Sequence, residues 1–273
     1  NLDYLKNKKF FDEIIIKDRK KYFFFTNNRT IKNFKKENIY DKIKSVHICT
    51  PFNNHFNHLI KYNHFEKTVV EKPFLANLSK FNKIKKLYKN RFFWVNYIDT
   101  FSPLINKISK SLRQKNFYQI NLNYSKINKF YKYKNEFALE WLDHPLSLIL
   151  LFFKKFPKMS IEKNVIKKRN NNFNQQIIIN YFFKSYQIKI NLNCSREIQR
   201  NFQIFRKKNI ETFHFYKNSI HLNKKKIFQS KKNSFDIFYN SLIKKHKKDA
   251  QNFNFHKKII KERNKILVRL KNR

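Results

Sequence analysis

The chain has 273 residues, 62 Lys and Arg against 18 Asp and Glu, a net charge of +44, and 41% hydrophobic residues. That length can bury a real core and favours two domains, while the longest apolar run, residues 146–153, is far too short to span a bilayer. No secretory signal is visible at the amino end, so the cytoplasm is the expected compartment.

There is no glycine, alanine occurs only at Ala76, Ala138 and Ala250, and Lys, Asn, Phe, Ile and Tyr are in excess. The favoured residues have A/T-rich codons, which points to a strongly AT-biased gene; its base composition is the check. The same bias governs how the charge reads. Taken alone, +44 suggests polyanion binding, but the lysines are spread along the chain, with only short clusters at 224–226 and 244–248. Codon drift explains that spread without a ligand, leaving only weak, salt-sensitive adhesion to nucleic acid. Cys49 and Cys194 sit in apolar strand patterns without spacing that marks a metal site, and are expected to be reduced core residues.

In chain order, Leu2 and Leu5 read as the tail of a helix, and residues 10–16 as a strand ending near Lys17-Asp18-Arg19. In a dinucleotide-binding fold a first strand and a Gly-rich turn precede these elements. Without glycine that turn cannot exist in this chain, because side chains would block approach of the backbone to a pyrophosphate. The expectation is a missing amino-terminal piece. Residues 22–45 are rich in Lys and Asn, with a strand at 23–25 and a helix reaching 43.

Residues 46–49 then read as a buried strand stopped by Thr50-Pro51, since proline cannot donate to a ladder. Phe56, Leu59 and Ile60 follow at helical spacing, and Thr68-Val69-Val70 forms a second strand ending in Glu71-Lys72-Pro73. Strand, helix, strand is a βαβ unit of a parallel sheet, in which ligands bind at the carboxyl ends of the strands. A helix at 78–88, capped near Asn77 and Ser79, and a strand at 92–97 complete this part. The domain boundary falls just after it, dividing residues 1–98 from 99–273.

A helix at 104–112 links the two. Beyond it, Tyr118, Ile120, Leu122 and Tyr124 alternate with polar residues, as do Tyr186, Ile188, Ile190, Leu192 and Cys194. Period-two alternation means antiparallel sheet with one buried face. Further strands are expected at 176–183, 202–206, 211–216 and 219–222, a loop at 170–174, and helices at 137–153, 235–245 and 253–270. The fold class is α/β plus α+β: a Rossmann-like parallel sheet, incomplete at its start, then an open, mostly antiparallel sheet with helices. On the 137–153 helix, Glu140 and His144 lie four apart on one face, where a carboxylate could hold an imidazole tautomer suited to acid–base work. The alternative is a pair of ordinary surface residues.

Several ordered motifs carry a resemblance: Thr50-Pro51 with His55, Glu71-Lys72-Pro73, Trp94-Val95-Asn96-Tyr97, Phe101-Ser102-Pro103, and Trp141-Leu142-Asp143-His144-Pro145-Leu146-Ser147. Together they resemble the Gfo/Idh/MocA family of NAD(P)-dependent oxidoreductases, over roughly residues 10 to 270 and most tightly over 46–104 and 137–153. The resemblance implies NAD or NADP as cofactor, and hydride transfer to or from a secondary alcohol of a sugar, sugar derivative or nucleotide sugar. It puts Lys72, Glu140 and His144 in the active site: His144 as base, Lys72 on the reacting oxygen and cofactor ribose, and Glu140 orienting its neighbours. Thr50, Pro51, Asn53, His55 and Glu71 would border the cofactor, with Asp18 on the adenine ribose or Arg19 on a 2′-phosphate. Tyr97 and Ser147 would line the substrate side. It also implies a dimer or tetramer, and no metal. Two other readings stand beside it: a non-catalytic relic of the same family, favoured by the absent turn, and a basic nucleic-acid-binding protein, favoured by charge alone.

Overall fold

The computed structural model describes residues 13–18, 21–26, 29–32, 45–75, 77–127, 131, 135–169, 172–195, 197–244 and 253–272. Strands β1 (Glu13–Asp18), β2 (Lys21–Thr26) and β3 (Arg29–Lys32) form a separate antiparallel meander. This corrects the expectation that the strand ending near Asp18 belongs to the parallel sheet. Only two residues separate consecutive strands, which allows a hairpin, whereas a parallel neighbour needs a crossover of roughly a dozen residues or more. The helix expected to reach residue 43 lies outside the described residues.

The parallel unit consists of β4 (Ser45–Ile48), β5 (Lys67–Glu71) and β6 (Phe92–Asn96), in that order, with Ile48 opposite Val70 and Glu71 opposite Asn96. Helices α1 (His55–Lys61) and α2 (Leu78–Leu87) are its crossovers. The Asn77 side chain caps α2 by accepting from the Lys80 amide at 3.0 Å. Both faces of the sheet are covered, so the middles of β5 and β6 are continuous apolar runs rather than alternating ones. Ile48, Val70, Phe93 and Val95 join the main core, while Val69, Phe92 and Trp94 pack with Phe238, Tyr239 and Leu242 of α6 (Ser234–Lys244).

After α3 (Ile105–Arg113) comes an eight-stranded sheet of β7 (Phe117–Ile127), β8 (Lys158–Arg169), β9 (Asn172–Phe182), β10 (Gln187–Ser195), β11 (Gln199–Arg206), β12 (Ile210–His214), β13 (Ser219–Leu222) and β14 (Lys225–Gln229). Its order is 14-13-12-11-7-10-9-8, antiparallel except for the β7–β10 pair. The alternation expected from sequence is there: Ile120, Leu122, Tyr124, Ile188, Ile190 and Leu192 are buried. On the polar face, Asn123 donates to Asn201 and Gln203, each at 2.8 Å. The strands of this sheet that sequence reasoning missed, β8 and β14, are its two edges; β3 of the meander was missed as well. The apolar pattern of β8 and β14 is broken by lysines, a common protection for unpaired strand edges, and β8 also slips register between Ile161 and Lys163. The loop expected at 170–174 shortens because Arg169 already pairs with Asn172.

The helix expected over 137–153 is two helices, α4 (Glu136–Trp141) and α5 (Asp143–Phe153), meeting at Leu142. Pro145 has no amide to return to the Trp141 carbonyl, which removes one rung at the junction. From the carboxy-terminal helix α7 (Phe253–Lys271), Arg263 reaches Asp143, with Nη1 at 2.9 and 2.7 Å from the two carboxylate oxygens, and also donates to the Leu75 carbonyl. Cysteine burial differs from expectation: Cys49 is exposed and Cys194 half-buried. Cys49 lies one residue past the last residue of β4, where the chain leaves the sheet. No helix among the described residues is long and apolar enough to cross a membrane.

His256 on α7 is fully buried among Phe74, Phe93 and Tyr97, and neither ring nitrogen has a hydrogen-bond partner among the described residues. Burial pushes its pKa down to about 3. Between about pH 6.5 and 3 the unfolded chain therefore binds a proton that the folded one refuses, so stability falls as pH drops through that window. His256→Leu is expected to flatten this acid limb and to leave neutral-pH stability unchanged or higher, as measured by denaturant midpoints from pH 7 to pH 4.

Candidate active site

β5 delivers Glu71 as its last paired residue, and Lys72 follows on the turn to Pro73, through a cis peptide. The Lys72 ammonium donates to the Glu140 carbonyl at 3.1 Å and sits 5.5 Å from the centroid of the Trp141 ring. Burial lowers its pKa, against the opposing charges of Glu140 and Glu71. This is its only hydrogen bond among the described residues, so donor capacity is left over.

His144, in the first turn of α5, is 4% exposed. Its Nδ1 lies 3.0 Å from Asp99 Oδ2, and its ring stacks on Tyr124 at 5.6 Å and 17°. Asp99 stands on the 3-10 turn Ile98–Phe101 just after β6, accepts from the Tyr124 hydroxyl at 3.0 Å, and is paired with Arg200 from β11. Burial would raise the Asp99 carboxyl, but Arg200 and then His144 overcome it and hold it well below the usual carboxylate range. For His144, burial first and the Lys72 charge second push the ring down to about 4, although Asp99 pulls the other way. The result is a neutral imidazole, held beside a carboxylate and within the field of a lysine.

The Glu140 carboxylate turns elsewhere, to Lys126 of β7 at 2.8 Å. α4 ends one residue after Glu140, and His144 belongs to the next helix. The carboxylate that meets the imidazole is thus Asp99, from a part of the chain some 45 residues earlier (144 − 99). Sequence reasoning missed Asp99, Tyr124 and Arg200. Asp99 carried a faint signal, an acidic residue directly after a buried strand; Arg200 carried none, being one cation among 62.

The other expected site residues divide. His55 is buried, with Nε2 2.8 Å from the Thr50 carbonyl and Nδ1 3.0 Å from that of Pro73, so it ties together the ends of β4 and β5. Pro51 and Asn53 are exposed along the same edge. Glu71 accepts from Asn96 at 2.7 Å. Ser147 is fully buried with its hydroxyl donated to the His144 carbonyl at 2.7 Å, while Tyr97 is buried against His256 and Phe255 with its hydroxyl unpaired among the described residues. Asp18 closes the β1–β2 hairpin opposite Lys21, in a sheet separate from the parallel one, and Arg19 lies outside the described residues.

Compared by sequence, the chain matches no protein-family model and no curated protein. Compared by structure, it resembles an oxidoreductase-named protein of Magnetospirillum magnetotacticum MS-1 (TM-score 0.68, 12% identity, covering 82% of this chain and 80% of that one). It also resembles the UDP-N-acetylglucosamine 3-dehydrogenase GnnA of Acidithiobacillus ferrooxidans (0.64, 14%, 84% and 78%). A third is biliverdin reductase of Synechocystis sp. PCC 6803, solved with biliverdin and NADP+ (0.64, 12%, 84% and 79%). Structural likeness at this level establishes a shared fold, the one implied by the sequence motifs.

The His144 ring is expected to titrate near 4 in a pH series of imidazole NMR shifts. Asp99→Asn removes a charge that favours the imidazolium, so it should move the titration lower still; a ring titrating near 6.5 would disprove the network.

Proposed function

We propose that this chain, which has the fold of Gfo/Idh/MocA-type oxidoreductases, is an NAD(P)-dependent oxidoreductase acting on a secondary alcohol of a sugar, sugar derivative or nucleotide sugar. The observation that carries the reading is the neutral His144, backed by Asp99, next to a lysine presented at the carboxyl end of β5. The sugar class rests on the motif resemblance and on neighbours such as the UDP-N-acetylglucosamine dehydrogenase; the biliverdin reductase shows that the fold also serves other substrates. A division at residue 98, the cytoplasm, and a dimer or tetramer belong to the same reading.

The carboxyl edge of the parallel sheet suits the nicotinamide end of the cofactor. Thr50 Oγ1 and Asn96 Oδ1 are buried there without a hydrogen-bond partner among the described residues, and such groups call for a ligand or water. Lys72, Thr50, Pro51 and Asn53 would hold this end. The 273 residues contain no glycine for a pyrophosphate turn, and Asp18 belongs to the separate hairpin, so the fit does not extend to the adenine end. When bound, a nicotinamide supplies the hydride acceptor or donor.

The protein's own part is proton handling and orientation. With Nδ1 facing Asp99, His144 has Nε2 left to take the hydroxyl proton, and the Asp99 carboxylate stabilises the imidazolium that forms. Lys72 donates to the reacting oxygen and steadies its negative charge. Arg200 balances Asp99, so the carboxylate stays ionised throughout. The second reading is a relic that keeps the fold without binding cofactor.

Turnover of NAD or NADP with a panel of sugars and nucleotide sugars is the test. Lys72→Met and His144→Gln should each lower kcat by roughly 10²–10⁴-fold while the circular dichroism stays native. Full activity in both variants overturns the oxidoreductase reading, and failure to bind either cofactor by calorimetry supports the relic.

A further inference from the structure

We propose that His47, Cys49 and Glu71 form a binding site for a divalent transition ion of the zinc class, at the carboxyl edge of the parallel sheet. The backbone alone assembles it. His47 and Cys49 are two apart on and just past β4, so they share a face, and Ile48 opposite Val70 sets Cys49 beside Glu71. One imidazole nitrogen, one thiol sulfur and one carboxylate oxygen all lie within 4.8 Å of one another.

The geometry is close to that of a bound ion. His47 Nε2 is 3.3 Å from Glu71 Oε1, and a tetrahedral ion with bonds of about 2.0–2.1 Å to nitrogen and oxygen sets those atoms about 3.3–3.4 Å apart. The same Nε2 is buried without a hydrogen-bond partner among the described residues, despite that short approach. Burial lowers the pKa of this ring, but Cys49 and Glu71, which both face it, raise it to about 10, so a bound ion would displace its proton. Asn96 donates to Glu71 at 2.7 Å, fixing the carboxylate from behind as an outer partner does for a metal ligand. Exposed Cys49 provides the entry path and room for a water as fourth ligand.

The donor set selects the ion. Sulfur with imidazole nitrogen disfavours magnesium and calcium, which want oxygen alone, and suits zinc or cobalt. Two of the three ligands are anionic once the thiol gives up its proton. The chain's net +44 opposes any cation, and Lys72 acts on Glu71 directly, but charges spread beyond about 8–10 Å are largely screened at physiological salt. A bound ion would clamp the end of β4 to the end of β5, next to the turn that carries Lys72. This proposal stands apart from the oxidoreductase reading, since its test uses no cofactor or substrate.

Co²⁺ and Zn²⁺ titrations of the full chain under reducing conditions decide it. One equivalent of Co²⁺ should give a thiolate-to-cobalt absorption band, and Zn²⁺ should bleach it and raise Tm. Cys49→Ser, at an exposed position, should abolish the band and weaken Zn²⁺ by at least about a hundredfold, and Glu71→Gln should weaken it as well. Cys194→Ser should change neither. A band that survives Cys49→Ser, or a chain that binds neither ion saturably while folded, overturns the proposal and leaves the three side chains as a hydrogen-bonding cluster.

Discussion

The arrangement depends on one buried ion pair. Asp143 and Arg263 are both wholly excluded from water, and Arg263 also donates to the Leu75 carbonyl. Three separate pieces meet there: the segment after Lys72, the first turn of the helix that carries His144, and the carboxy-terminal helix. Removing either partner would strand a buried charge at a cost of about 3–5 kcal/mol, so the three pieces move together or not at all. The position of Lys72 relative to His144 is therefore held both by this pair and by the bond from Lys72 to the Glu140 carbonyl.

Around this pair the scarce acids are used economically. Asp99 takes Arg200 and His144, Glu140 takes Lys126, Glu211 takes Arg206, and Glu262 accepts from Tyr181. With 62 cations to 18 anions, each of these buried or half-buried carboxylates has a cation or hydroxyl to pair with. The buried network at Asp99 follows from that imbalance: an ionised carboxylate under the sheet is sustainable because an arginine from β11 can be spent on it. Burial first, then the nearby lysine and to a lesser degree the same arginine, keep His144 neutral against the pull of Asp99.

The lack of glycine leaves a second mark. Turns that need a left-handed backbone use Asn135, Asn218, Asn223, Lys115, Lys154 and Lys224 instead, all at positive φ. Asparagine tolerates that region through local hydrogen bonds, while lysine bears the steric cost of its Cβ. These turns close hairpins and helix ends, where a side chain has solvent to occupy. A pyrophosphate-binding turn has no such room, which is why the substitution that works at Lys154, ending α5, would not work there.

What the sequence determined was everything that depends on neighbours along the chain. Period-two alternation located β7 and β10, helical spacing located α1 and α2, and proline marked the ends of β4 and β5. Lys72 and His144 were legible because each sits in a short ordered motif. The tertiary structure decided which groups meet across long separations. It gave His144 to Asp99 rather than Glu140, sent Glu140 to Lys126, hid Tyr97 and Ser147, exposed Cys49 beside His47 and Glu71, and paired β1 with β2 outside the parallel sheet. It also made strands of the lysine-rich edges β8 and β14, whose ladders come from a neighbour and not from their own pattern. The reason is common to all: periodicity reports which face a residue takes, while partners are chosen by register and packing among segments that one sequence window never holds together.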